Sequence, residues 1–211
     1  MSLVDPDQAA ARTELCRFLS ACYYEPAEEF AEEKLFDSML AAASRVDPAL
    51  AESARRLGQT FAAQDLKTLL VDYTRLFLGP MQALAQPYAS SWLAPAPSPD
   101  QDAAATTMDL YAEGGFEVDA DFRERPDHVA LELEFLYLLN FRIIQARQDS
   151  TSDDIAAAEQ LRQRFLREHL GLWIGPFVGA VQAGAETTFY RELATFTGLF
   201  MELELGRLPV H

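Results

Sequence analysis

One short stretch of the chain gathers side chains that can act as acids, bases or metal ligands. Asp127 and His128 are adjacent, and Glu132 follows His128 by four residues. Because residues four apart lie on one face of a helix, His128 and Glu132 could act together. Two or three of these side chains could hold a metal ion, so one interpretation is a metal-dependent hydrolase that uses Asp127, His128 and Glu132.

The same stretch also fits an ordinary helix start. Asp127 could accept hydrogen bonds from the exposed backbone N–H groups of the first turn, where the helix dipole favours a negative charge. His128 would then pair with Glu132 across one turn. The other two histidines, His169 and His211, have no partner at metal-ligand spacing, which favours the helix cap over the metal site.

A second candidate stretch, residues 73–93, reads YTRLFLGPMQALAQPYASSWL. Tyr73, Leu76, Phe77 and Pro80 are spaced at i, i+3, i+4 and i+7, which is typical of one helix face. Leu76 and Phe77 at this spacing are, on physical grounds alone, an ordinary core stripe.

The segment that follows is rich in proline and cannot form one helix. Five of the eleven prolines lie between Pro80 and Pro99, and a connection of this length in a compact domain is usually functional or disordered. Met81, Tyr88 and Trp92 lie on this segment and have few ways to be deeply buried, so they suit capture of an apolar peptide. If the aromatic side chains pack internally instead, the chain is a non-catalytic structural adaptor.

Most sequence signatures of enzymes are missing. The lysines, Lys34 and Lys67, do not follow a glycine, so there is no phosphate-binding loop, and neither G-x-G-x-x-G nor G-x-S-x-G occurs. Cys16 and Cys22 are six residues apart, which matches neither a zinc site nor a redox pair. We therefore expect both cysteines to be small buried apolar residues and expect no metal or cofactor.

Composition predicts an all-α protein with an acidic surface. The chain has 211 residues, 49% of them hydrophobic, and a formal net charge of −16. This charge repels phosphate backbones, so nucleic acid is not an expected partner, whereas a basic peptide would be attracted. Without a signal-peptide pattern or a long uncharged apolar run, the expectation is a cytoplasmic protein with no stable membrane insertion.

Helical periodicity and capping residues predict about nine to eleven helices. Asp5, Pro6 and Gln8 match a capped helix start with a capping box, and Asp47 with Pro48 repeats the cap-plus-proline pattern. The most apolar helix begins at Val129 and is expected at the centre of the bundle. The predicted helices cover approximately residues 5–25, 26–40, 48–63, 65–78, 102–113, 129–144, 152–169, 172–183 and 188–205.

Four short stretches, taken in order, resemble the TorD/DmsD family of cytoplasmic chaperones for molybdenum-containing redox enzymes. They are YTRLFLGP, PYASSWL, ERPDH and FYRELA, and the likeness spans about Tyr23 to Leu205. The resemblance implies an all-helical protein with an N-terminal lobe at about 1–115, a hinge at about 116–126 and a C-terminal lobe at about 127–211. It also implies a monomer or a domain-swapped homodimer without catalytic activity.

The resemblance further implies a function and a site. Such chaperones bind the twin-arginine signal peptide, or another part, of an apo-molybdoenzyme catalytic subunit and hold it for cofactor insertion before export. Weak guanine-nucleotide binding, attributed to some members, has no supporting phosphate loop in this sequence. Some relatives carry tryptophan where this chain has Tyr73, Met81 and Tyr88. The family's peptide-binding positions correspond to Tyr73, Leu76, Phe77, Met81, Pro87, Tyr88, Trp92, Asp127 and His128.

Overall fold

The computed structural model describes residues 5–79, 83–93, 102–119, 124–149 and 151–209. Within these ranges the chain is helical and contains no β-strand, apart from an isolated bridge between Tyr88 and His128. The predicted all-α fold is therefore confirmed. The helices are α1 (Pro6–Cys22), α2 (Glu29–Glu32), α3 (Leu35–Val46), α4 (Pro48–Ala62), α5 (Leu66–Tyr73), α6 (Ala103–Gly114), α7 (Val129–Gln148), α8 (Ser152–Phe165), α9 (Gly171–Gly184) and α10 (Thr188–Gly206).

Aspartate caps begin four of these helices, as local sequence rules require. Asp5, Asp47, Asp65 and Asp102 each accept a hydrogen bond from a backbone N–H in the first turn of α1, α4, α5 and α6. The capping box predicted for Gln8 is wrong. Its side-chain amide instead donates to the carbonyl groups that end α3, at 3.3 and 3.5 Å, and so ties α1 to α3.

The second predicted helix is interrupted. Lys34 adopts a left-handed backbone conformation, with φ of 54°, and separates the short α2 from α3. A non-glycine residue in this conformation cannot continue a right-handed helix. The predicted helix over residues 26–40 is therefore wrong at this point, and α3 starts at Leu35.

Helix α7 lies at the centre of the bundle, as its apolar sequence predicts. It packs against α1 on one side and α8 on another, while α10 packs against α4 and α9. Cys16 and Cys22 are buried and free within α1, which confirms their expected role as small core residues. The division into two lobes stays a prediction, and residues 120–123 of its hinge lie outside the described ranges. No helix of the described ranges is long and apolar enough to cross a membrane.

Two π-helical turns extend regular helices, one at Thr74–Leu78 after α5 and one at Leu166–Leu170 between α8 and α9. Such turns often occur at functional positions. At the second turn, a Cβ on Gly171 would lie 2.2 Å from the Leu166 carbonyl oxygen, so only glycine fits there. The first turn places Tyr73 and Phe77 at the start of the proline-rich segment.

A buried ion triad joins three helices. The Glu204 carboxylate on α10 accepts two hydrogen bonds from Arg12 on α1, at 2.5 and 2.6 Å, and one from Arg162 on α8. Burial alone would raise the pKa of Glu204, but the bonds to Arg12 and the charge of Arg162 hold the pKa below its ordinary value. Glu204 is therefore a charged group that must keep both partners.

Replacing this carboxylate should destabilise the fold. In Glu204→Gln, Arg12 and Arg162 lose their common counter-charge in the interior, so we expect the free energy of unfolding to fall by about 3 to 5 kcal/mol. Urea denaturation at neutral pH measures this change.

Glu52 offers a matched control because it also accepts hydrogen bonds from two arginines, Arg55 and Arg56, but on the surface. We expect Glu52→Gln to leave stability nearly unchanged, since solvent screens such pairs. Similar losses for the two variants would contradict the role given to the buried triad.

Candidate functional site

Residues 83–93 of the proline-rich segment fold back onto the start of α7. Near its beginning, the backbone N–H of Ala85 donates to the carbonyl of Leu76 in the π-helical turn, at 2.8 Å. Further along, Val129 N donates to Pro87 O at 2.8 Å and Ala89 N donates to Asp127 O at 2.9 Å. These backbone bonds hold residues 83–93 between the end of α5 and the beginning of α7. We call this segment the aromatic loop.

Asp127 is fully buried and holds the aromatic loop. Its Oδ2 accepts a hydrogen bond from Ser90 N at 2.9 Å. The prediction that Asp127 caps α7 is therefore wrong, because its carboxylate satisfies a loop N–H group instead. Its other oxygen, Oδ1, lies 3.2 Å from Nε of Arg125.

His128 is the residue that caps α7. Its Nδ1 accepts a hydrogen bond from Ala130 N at 3.2 Å, which requires the neutral ring. The ring is stacked against Tyr24, with 6.2 Å between centroids, and meets the edge of Tyr88 at 5.4 Å. Burial lowers the pKa of His128 to about 4, although the charges of Glu124 and Asp127 oppose this shift. His128 is therefore uncharged at neutral pH.

The predicted pairing of His128 with Glu132 is wrong. Glu132 points into the core, where it accepts a hydrogen bond from Trp173 Nε1 at 3.0 Å and lies 2.7 Å from Nε2 of His169. Burial raises the pKa of Glu132, whereas the pKa of His169 is raised by Glu132 against the effect of its own burial. Thr107 Oγ1 completes this network at 3.0 Å from His169 Nε2.

This arrangement gives no support to a metal-dependent hydrolase. The side chains of Asp127, His128 and Glu132 have separate partners, and no group of three His, Cys, Asp or Glu residues suited to a metal ion occurs in the part of the chain that the structure describes. A cavity of about 600 Å³ between α1, α7 and α8 lies elsewhere, with the triad of Glu204, Arg12 and Arg162 beside it.

Leu76 and Phe77, which were predicted to share one helix face, lie beneath the aromatic loop. Leu76 and Phe77 are buried, and the ring of Phe77 contacts Tyr73 at 5.2 Å and Phe177 at 6.1 Å. Trp92 packs its edge on Phe177 at 6.3 Å and is only partly buried. Leu76 and Phe77 therefore support the loop from below in this conformation.

The remaining predicted positions lie on the loop itself. Pro87 is buried and Tyr88 is partly exposed. The indole of Trp92 donates to Gln86 O at 2.8 Å, which fixes its orientation. Met81 lies outside the described residues.

Two tyrosines and three glutamates near the buried Tyr73 form a surface that sequence reasoning largely missed. The Tyr24 hydroxyl donates to Glu134 at 2.9 Å, and the Tyr88 hydroxyl donates to Glu124 at 2.5 Å. Burial, with the nearby charges of Glu124 and Glu25, raises the pKa of Tyr73 to about 12. We call this the acidic aromatic surface, and its members are Tyr24, Glu25, Tyr88, Glu124 and Glu134.

The acidic aromatic surface has an excess of negative charge. Within the described ranges, none of its three glutamates forms a salt bridge. Carboxylates and tyrosine faces are the groups that bind guanidinium, through bidentate hydrogen bonds and cation–π contacts. Arg125 already illustrates this chemistry, since its guanidinium carbon lies 5.5 Å from the centroid of the Tyr88 ring. The surface therefore presents the kinds of group that arginine side chains pair with.

Comparisons with known proteins agree with this architecture. A family model described as nitrate reductase delta subunit matches residues 43–179. The chain is 27% identical over 183 residues to the chaperone protein TorD of Shewanella loihica, covering 84% of this chain and 80% of that protein. It is 32% identical over 165 residues to TorD of Salmonella paratyphi B, covering 76% and 72% respectively.

A solved structure shows the same fold. The crystal structure of a protein from Archaeoglobus fulgidus, described as a redox enzyme maturation protein, aligns with a TM-score of 0.51 at 21% sequence identity. The alignment covers 91% of this chain and 93% of that chain.

The buried capping residue His128 predicts how the stability of the fold depends on pH. Because the folded pKa of His128 is about 4 and the ordinary value is 6.5, the unfolded chain binds a proton between these values and the folded chain does not. The contribution of His128 is complete above pH 6.5 and is lost as the pH falls towards 4, so we expect it to weaken by about 2 kcal/mol between pH 7 and pH 5.

His128→Asn isolates this contribution, because asparagine is a good helix cap that does not titrate. Urea denaturation of both proteins at the two pH values measures the difference between them, in which the opposite contribution of His169 cancels. A parallel loss of stability in the variant would show that His128 is not the titrating group.

Proposed function

The chain belongs to the nitrate reductase delta subunit family, which includes the TorD chaperones, and we propose that it binds the twin-arginine signal peptide of a molybdenum-containing oxidoreductase. It holds the apo-form of that catalytic subunit in the cytoplasm for cofactor insertion, before export. The single observation that carries this proposal is the acidic aromatic surface beside the aromatic loop.

The charge and shape of this surface suit two adjacent arginines. Glu124 and Glu25 both raise the pKa of Tyr73, so the two carboxylates act on the same part of the surface. Glu134 adds a negative charge at the Tyr24 hydroxyl. A guanidinium group pairs with a carboxylate through two N–H groups and stacks on a tyrosine ring, whereas a lysine ammonium group does neither as well.

The apolar part of a signal peptide also has a partner. Leu78, at the end of the first π-helical turn, and Leu84, on the aromatic loop, are about half exposed, and Trp92 on that loop is partly exposed. Exposed leucine and tryptophan side chains next to a charged surface favour binding of a peptide with a basic and an apolar part. The net charge of −16 adds long-range attraction for a basic ligand.

The positions implied by family resemblance divide into two groups in this proposal. Tyr88 and Trp92, which are partly exposed, contact the peptide directly. The buried positions place the loop that carries these side chains, and they are Tyr73, Leu76, Phe77, Pro87, Asp127 and His128. Met81 stays a predicted peptide contact.

A synthetic peptide tests the proposal. A labelled peptide with two adjacent arginines followed by an apolar run should bind with a Kd in the micromolar range or tighter, and salt should weaken the binding. In the double variant Glu25→Gln and Glu124→Gln we expect the Kd to rise about tenfold, because two charges that face the arginines are lost. Glutamine at position 124 still accepts the Tyr88 hydrogen bond. Fluorescence anisotropy measures both effects.

The control is a second double variant, Glu52→Gln and Glu168→Gln, which removes the same charge from exposed positions elsewhere. We expect its Kd to stay within about twofold of the parent, since only long-range steering changes. Equal weakening in both double variants would place the peptide elsewhere. No binding by the parent protein would overturn the proposed function.

A further inference from the structure

Arg125 lies where an incoming guanidinium group would bind. Its Nε is 3.2 Å from Oδ1 of Asp127, and its guanidinium carbon lies 5.5 Å from the centroid of the Tyr88 ring. The Arg125 side chain is 51% exposed, whereas that of Asp127 is 0% exposed. Arg125 therefore extends from solvent to a buried carboxylate and covers it.

The two oxygens of Asp127 are used unequally. Oδ2 accepts the hydrogen bond from Ser90 N, but Oδ1 accepts no hydrogen bond from any described residue. The Arg125 guanidinium is close enough to Oδ1 for charge attraction, but its N–H group is not directed at the oxygen. A buried carboxylate oxygen without a hydrogen bond is costly, so Oδ1 retains an unused capacity to bind a better-directed donor.

The surroundings of Oδ1 select the chemistry of that donor. The Tyr88 ring offers a face to a planar cation, and Glu124 holds the Tyr88 hydroxyl at 2.5 Å, so the ring is fixed in position. A buried carboxylate beside a fixed aromatic face matches guanidinium better than ammonium, which is a compact and strongly hydrated charge.

We propose that Asp127 Oδ1 and the Tyr88 ring form a guanidinium subsite, and that Arg125 fills this subsite in the free protein until one arginine of the bound peptide displaces it. The inference rests on the proposed function and adds an internal competitor to it. The exchange replaces one guanidinium group with another, so Asp127 keeps a counter-charge throughout. Arg125, which is held by no directed bond to the carboxylate, moves into solvent.

Removal of the competitor should strengthen binding. In Arg125→Gln the subsite is empty in the free protein, so the peptide no longer has to displace a side chain. Because the Arg125 side chain is half exposed and makes no directed hydrogen bond to Asp127, its release costs little, and we expect the Kd of the twin-arginine peptide to fall by about three- to fivefold. Fluorescence anisotropy with the labelled peptide measures the change.

Arg17 provides a closely matched control. Its guanidinium lies over the ring of Phe18 at 4.9 Å and is 57% exposed, like that of Arg125, but it pairs with the exposed Glu14 instead of a buried carboxylate. Arg17→Gln changes the net charge by the same amount, and we expect its Kd to equal that of the parent.

A variant of Asp127 tests whether the gain in peptide affinity depends on its carboxylate. In Asp127→Asn, the amide oxygen can still accept the Ser90 hydrogen bond, but the negative charge is lost. Arg125→Gln added to this variant should give no gain in affinity, because the subsite no longer attracts either arginine.

The outcomes separate the inference from the proposed function. If the parent protein binds the peptide and Arg125→Gln leaves the Kd unchanged or raises it, the subsite is not blocked by Arg125, while peptide binding stands. An equal gain in Arg17→Gln, or a full gain in the Asp127→Asn background, would also overturn the inference. No binding by any of the proteins would overturn both.

Discussion

The hydrogen bond from Ser90 N to the buried carboxylate of Asp127 fixes the aromatic loop against the start of α7. Residues 83–93 have little regular structure, so their backbone N–H groups need partners outside the loop. The bonds of Ala89 and Val129 across the same junction complete this pairing. Once the junction is closed, Tyr88 lies beside His128, and Trp92 lies against Phe177 of α9. The positions of Tyr88 and Trp92 therefore depend on the junction that Asp127 helps to close.

Helix α7 also carries the polar groups that align its other neighbours. Glu132 is enclosed by α7, the second π-helical turn and α9, where His169 and Trp173 both contact its carboxylate. A buried pair of this kind adds little net stability, because desolvation offsets the attraction. The pair does disfavour a shift of α7 along its neighbours, since a shifted helix would leave Glu132 buried without His169 and Trp173. The apolar surface of α7 supplies the favourable burial, and Glu132 fixes which residues of the second π-helical turn and α9 meet it.

Local sequence rules predicted the helices well, and contacts between distant residues explain the errors. Asp47 and Asp102 each cap the helix that directly follows them, so nearby residues suffice to identify them. Asp127 and His128 can both cap a helix, and the choice between them is made by Ser90, 37 residues away from Asp127. Glu124 was missed for a similar reason, because its importance comes from Tyr88 at a distance of 36 residues. Of the 33 acidic residues, nothing in the sequence alone distinguishes Glu124 from those that face only water.

Burial also distinguishes residues that support the aromatic loop from residues that a bound peptide would touch. Leu76 and Phe77 lie at positions that family resemblance assigns to the peptide, yet their side chains are enclosed by the loop and α9. A substitution at either position would change the support under Trp92, and therefore the surface that a peptide meets, without removing a direct contact. Close packing transmits such changes, because a core has little free volume in which to absorb them. Loss of binding in a variant of Phe77 would consequently identify a loop-supporting residue, whereas loss of binding in a variant of Glu124 with an intact fold would identify a residue that the peptide touches.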